Sequence, residues 1–96
     1  MSAPMEHALI AALVEMSPYR RGLRPLVAEI ARAAQICDQV REAVARIAGR
    51  AGGAAPTRSA LGEDRALIMA FLEHIFFASP AFLASAGMAG RTQTHV

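Results

Sequence analysis

Between residues 23 and 47, apolar side chains recur at alternating steps of three and four: Leu23, Leu26, Ile30, Ala33, Cys37, Val40, Val44 and Ile47. This spacing puts all eight on one stripe of an α-helix, and such a stripe is stable only when another helix covers it. No other stretch is as regular. The opposite side carries Arg32, Gln35, Asp38, Gln39, Glu42 and Arg46, with Glu42 and Arg46 spaced for a favourable pair one turn apart. The pattern predicts one helix over residues 25–48, with Pro25 in its first turn and Gly49 as its stop. Ala34, Ala43 and Ala48 flank the seam and would let a neighbouring helix come close.

The natural neighbour lies further along. A second long helix is expected to begin at residues 61–63, with Glu63 and Asp64 in its first turn, where carboxylates suit the helix dipole. Apart from Glu73 and His74, residues 66–78 are apolar on every side, the pattern of a helix buried in a bundle or in an oligomer interface. Residues 2–16 read as a short amphipathic helix with Pro4 in its first turn. Ser17-Pro18 and Ser79-Pro80 each read as a cap followed by a proline at the first helical position, so a short helix is expected over residues 80–86. Residues 49–60, rich in Gly and Ala, read as a flexible connector, and residues 90–96 as a disordered tail.

Composition supports the all-α reading. Of 96 residues, 54 % are hydrophobic and only 5 % aromatic, and Ala supplies much of the apolar count, which favours close helix packing over a β-sandwich. A domain of this length buries only about 60–65 % of its unfolded surface, so the apolar excess calls for a partner chain. The expected fold is a single all-α domain: a small helical bundle built on an antiparallel hairpin, with a short helix at each end. The 66–90 stretch is long enough to span a bilayer, but Glu73, His74 and Pro80 interrupt it, and a buried helix is the better reading.

Several chemistries are excluded outright. The chain has no Lys and no Asn, so a P-loop lysine, a Schiff-base lysine and an N-linked glycan are impossible. Cys37 is the single cysteine, which rules out an internal disulfide; it reads as a small buried hydrophobe that could face its copy across a dimer seam. With no basic stretch ahead of the first apolar run, the protein is expected to be cytoplasmic. Glu73 and His74 are adjacent, so on a helix they point about 100° apart and do not converge on one atom. No His-x-x-x-His or Glu-x-x-His spacing occurs. No catalytic set, cofactor or metal is expected.

What remains is association. The expected function is that of a non-enzymatic accessory protein acting by protein–protein contact, as an adaptor, assembly chaperone, inhibitor or antiactivator, and self-associating as a homo-oligomer. The candidate partner-binding residues are Arg20, Arg21 and Arg24 in the basic connector, and Met69, Leu72 and Phe76 on the outer face of the second helix. The alternative is a small nucleic-acid-binding regulator using Arg20, Arg21, Arg24, Arg46, Arg50 and Arg58. In its favour, Val44-Ala45-Arg46-Ile47-Ala48-Gly49 is loosely similar to the helix-and-glycine portion of repressor-type helix-turn-helix motifs, which would make residues 56–61 the recognition element.

Overall fold

The computed structural model of the chain describes residues 3–79. All regular structure among them is helical: α1 (Ala3–Glu15), α2 (Arg20–Leu23), a 3-10 turn (Arg24–Leu26), α3 (Val27–Ile36), α4 (Asp38–Ala51), α5 (Arg58–Leu61), a second 3-10 turn (Gly62–Asp64) and α6 (Arg65–Ala78). The protein is a small all-α bundle, as the apolar periodicity requires. α1 packs on α3, α3 on α4, α4 on α6, and α2 on α6. The expected helix over residues 80–86 and the tail over residues 90–96 lie outside the described residues.

Every helix contributes to one core. Ile10, Leu13 and Val14 come from α1, Leu23 from α2, Val27, Ile30 and Ala34 from α3, Val40, Ala43 and Ile47 from α4, Leu61 from α5, and Ile68 and Leu72 from α6. The seam is therefore real: Leu23, Ile30, Val40 and Ile47 are buried, and Leu26, Cys37 and Val44 pack partly against them.

It does not run along one helix, however. At Cys37 the backbone is extended (φ −103°, ψ 107°) and parts α3 from α4. This corrects the expected unbroken helix over residues 25–48, and with it the first arm of the expected hairpin. A break in mid-helix strands carbonyl groups that need donors, and Arg41 supplies them. Its guanidinium donates to the Gln35 carbonyl at 3.1 Å and pairs with Asp38 at 2.9 Å, while its own N–H donates to the Cys37 carbonyl at 2.8 Å. One residue thus closes the end of α3 and the start of α4. The cost of the bend appears at Ile36, which is 85 % exposed.

The other boundaries follow local chemistry. Pro18 disfavours helical geometry at Ser17, and α1 ends there with the Ser17 N–H on the Val14 carbonyl at 2.9 Å. The Ser17 hydroxyl accepts the Tyr19 N–H at 3.0 Å, so it holds the turn ahead of α2 rather than capping the helix directly. Pro25 sits in the 3-10 turn that leads into α3. α4 runs through Gly49 to Ala51 and stops at Gly52, whose left-handed φ of 63° lets its N–H reach the Ala48 carbonyl at 3.1 Å. α6 closes at Ser79, whose hydroxyl and N–H both donate to the Phe76 carbonyl, at 3.0 and 3.3 Å. Among the described residues, no helix is long and apolar enough to cross a membrane.

Candidate partner-binding surface

The start of α6 is fastened to the end of α4 by one carboxylate. Asp64, with a side chain only 10 % exposed, accepts two bonds from Arg46, at 2.8 and 3.2 Å, and one from Arg50 at 2.8 Å. Arg50 also donates to the carbonyls of Ala60 and Leu61, at 2.6 and 2.8 Å, which are the orphan acceptors at the end of α5. The hydrogen bonds from Arg46 and then Arg50 hold the Asp64 carboxyl down at about 2, against an ordinary 3.8. Asp64 stands at the N-terminus of α6, where its charge suits the helix dipole, although its side chain makes no cap bond. Arg46 is likewise bonded to Asp64, while Glu42 exerts only a longer-range attraction on it.

A second pair ties α1 to the first 3-10 turn. Arg24 donates through Nε and Nη2 to the two oxygens of Glu15, both at 2.7 Å. Glu15 is held below its usual value, chiefly by that hydrogen bond. Arg32 with Glu29 and Arg41 with Asp38 complete the ion pairs among the described residues.

The remaining described arginines, Arg20, Arg21, Arg58 and Arg65, have no carboxylate within 4.0 Å among the described residues. All four line the same region. Tyr19, in the turn before α2, stacks on Phe76 with centroids 4.6 Å apart and planes 19° from parallel. Phe77 meets both rings edge-on, each at 5.2 Å. Gly22 makes this approach possible, since a Cβ there would lie 2.5 Å from Cε1 of Phe76. On one side of Tyr19 lies a shallow depression bounded by Arg20, Arg21, Gly22 and Phe76. On the other side a second depression is bounded by Met16, Arg58, Arg65, Met69 and Glu73. Pro18 and Tyr19 form the ridge between them. The Tyr19 hydroxyl makes a long hydrogen bond of 3.5 Å to Glu73.

The fold thus brings together Arg20, Arg21 and Phe76, with Met69 just across Tyr19. Two of the expected residues do not belong. Leu72 is 1 % exposed and is part of the core, because α6 presents it with Ile68 to the bundle and not outward. Arg24 is bonded to Glu15. The sequence reading missed Tyr19, Phe77 and Arg65, and the signal available for them was an aromatic inside the basic connector and a pair of phenylalanines at a helix end.

Within the single chain α6 is not buried on every side. Ala66, Ala70, Glu73, His74, Phe77 and Ala78 are exposed, so its far side is open. His74 lies outside both depressions, whereas Glu73 lines the second. Among the described residues, no group of three or more His, Cys, Asp or Glu side chains is placed to hold a metal ion. Of the six arginines in the nucleic-acid reading, Arg24, Arg46 and Arg50 are committed to internal carboxylates. α5, within the segment of the helix-turn-helix resemblance, has four residues, less than a recognition helix needs. One further depression, of about 250 Å³, lies between α1 and the loop after α4; Ala8, Leu9, Ala12, Ala48 and Pro56 are among its lining residues, and none of the lining side chains is charged. No protein-family model matches the chain, and neither a curated protein nor a solved structure is significantly similar to it.

Proposed function

We propose that this is a non-enzymatic accessory protein of the cytoplasm that acts by protein–protein association, as an adaptor, assembly chaperone, inhibitor or antiactivator, and that it docks through the surface built on Tyr19. The observation that carries this reading is the cluster of Tyr19, Phe76 and Phe77 at the protein surface, with Phe77 43 % exposed, between arginines that pair with no carboxylate among the described residues. Aromatic residues, Met and Arg are the types enriched where proteins bind one another, and a compact group of them supplies most of the energy of such contacts. Self-association through this face belongs to the same reading, since a thin core gains from a partner.

The test is affinity capture from the native host with the wild-type chain and the Phe77→Ser variant, beside light scattering of each purified chain. The reading expects a partner, or a second copy, held by the wild-type chain and lost by the variant. A monomer that recovers nothing and binds no dye for exposed apolar surface overturns it.

A further inference from the structure

We propose that the occupant of this surface is an acidic peptide segment of a partner protein, with an apolar side chain seated against Tyr19 and Phe77 and carboxylates flanking it. The proposal rests on the association reading above and names its partner by charge. Among the described residues, five of the nine arginines are paired with carboxylates of the chain itself, and the four without a carboxylate there line the two depressions on either side of Tyr19. Internal pairing has removed scattered positive charge elsewhere and left it concentrated around one apolar ridge. A guanidinium fork matches a carboxylate in two-point geometry, and such bonds are shorter and stronger than neutral ones. The arrangement therefore complements a short segment that alternates acid with a hydrophobic anchor.

Two other occupants fit less well. Residues 80–96 contain no Asp or Glu, so that segment brings no acidic side chain to the four guanidiniums. A nucleic-acid strand would place a phosphate at every step and needs free ring faces for its bases. Here Tyr19 already has one face covered by Phe76, and Glu73 stands in the same depression as Arg58 and Arg65. A peptide can leave the position opposite Glu73 uncharged, and Glu73 then fixes its register; a phosphate chain has no such freedom.

The test is fluorescence anisotropy with three labelled probes: a short peptide with Asp and Glu flanking a Leu-Phe centre, the same peptide with Asn and Gln in place of the acids, and a single-stranded oligothymidine. The proposal expects the acidic peptide to bind, with an affinity that falls as salt rises. The double variant Arg21→Gln/Arg65→Gln is expected to weaken it about tenfold or more through two lost charge-assisted contacts. Both side chains are exposed, so the variant is expected to keep its helical circular dichroism, and Arg24→Gln is expected to leave affinity unchanged. Equal binding of the neutral peptide overturns the acidic partner while leaving association through the aromatic face intact. Binding of neither peptide by a chain that still captures a Phe77-dependent partner also overturns the acidic class alone. Tighter binding of the oligonucleotide overturns the acidic partner and the association reading together.

Discussion

Phe76 lies stacked on Tyr19, centroids 4.6 Å apart, and this contact joins the turn between α1 and α2 to the last turn of α6. It gives the bundle an aromatic seam at its surface, outside the aliphatic core. Offset stacking and edge contacts of this kind add about 0.5–1.5 kcal/mol per pair beyond the area they bury. The same rings form the wall of the proposed docking surface, so stability and binding meet at Gly22, Tyr19 and Phe76.

Gly22→Ala is expected to destabilise the protein. In a helix this change ordinarily gains about 0.5–1 kcal/mol, but the new Cβ would lie 2.5 Å from Phe76, and the ring is held by Tyr19 and Phe77. Displacing a packed group costs about 1–3 kcal/mol, which outweighs the gain. Urea unfolding measures the loss. In a Phe76→Leu background the obstruction is relieved, and the sign of the Gly22 substitution is expected to reverse, as a double-mutant cycle would show.

Leu72 and Met69 separate core from surface on one helix. Leu72→Ala removes a fully buried side chain and is expected to cost about 2–5 kcal/mol. Met69 is only half-buried at the rim of the second depression; its replacement by Ala is expected to cost less than half as much and to reduce partner binding. Thermal unfolding and affinity measured on both variants check the division. Equal losses of stability would contradict it.

Asp64 is expected to govern the acid limb of the stability curve. Its folded value of about 2 lies below the unfolded 3.8. Its ionised form is thus favoured by folding, and its contribution is complete above 3.8 and lost as the pH falls towards 2. Asp64→Asn should therefore be less stable than the wild-type chain near neutrality, and the gap should close across that acid window. Denaturant midpoints of the two chains, taken as a function of pH, would show it.

Phe77→Ser and Ile36→Ser both remove an exposed hydrophobe, yet they are expected to behave differently. Ile36 stands at the α3–α4 break and is 85 % exposed, so its loss is expected to change stability by no more than about 0.5 kcal/mol and to leave binding intact. Phe77 shares edges with Tyr19 and Phe76, so its loss is expected to reduce both apolar dye binding and self-association. Dye fluorescence and light scattering distinguish them.

The seam was legible because burial imposes a period, and Leu23, Ile30, Val40 and Ile47 are where that period puts them. The break at Cys37 was not legible. Residues 36–38 contain no Gly or Pro, and what stabilises the break is a side chain, Arg41, reaching back to Gln35. Gly49 looked like a stop, but the helix continues for two more residues, and that extra turn carries Arg50, which binds Asp64 and the end of α5. A local side-chain bond overrode helix propensity at the first place, and bonds between elements did so at the second. The proposed docking surface was half legible. Arg20, Arg21, Phe76 and Met69 announced themselves by type, whereas the choice between Arg24 and Arg65 depends on which arginine finds a carboxylate, and only the fold decides that.

Amide chemical-shift mapping of the labelled protein tests most directly the claim that one surface around Tyr19 does the binding. Titrated with the captured partner or the acidic peptide, the largest shifts are predicted at residues 19–22, at Arg58 and Arg65, and at residues 73–77. Shifts confined to the outer faces of α3 and α4, with Tyr19, Phe76 and Phe77 unmoved, would contradict it.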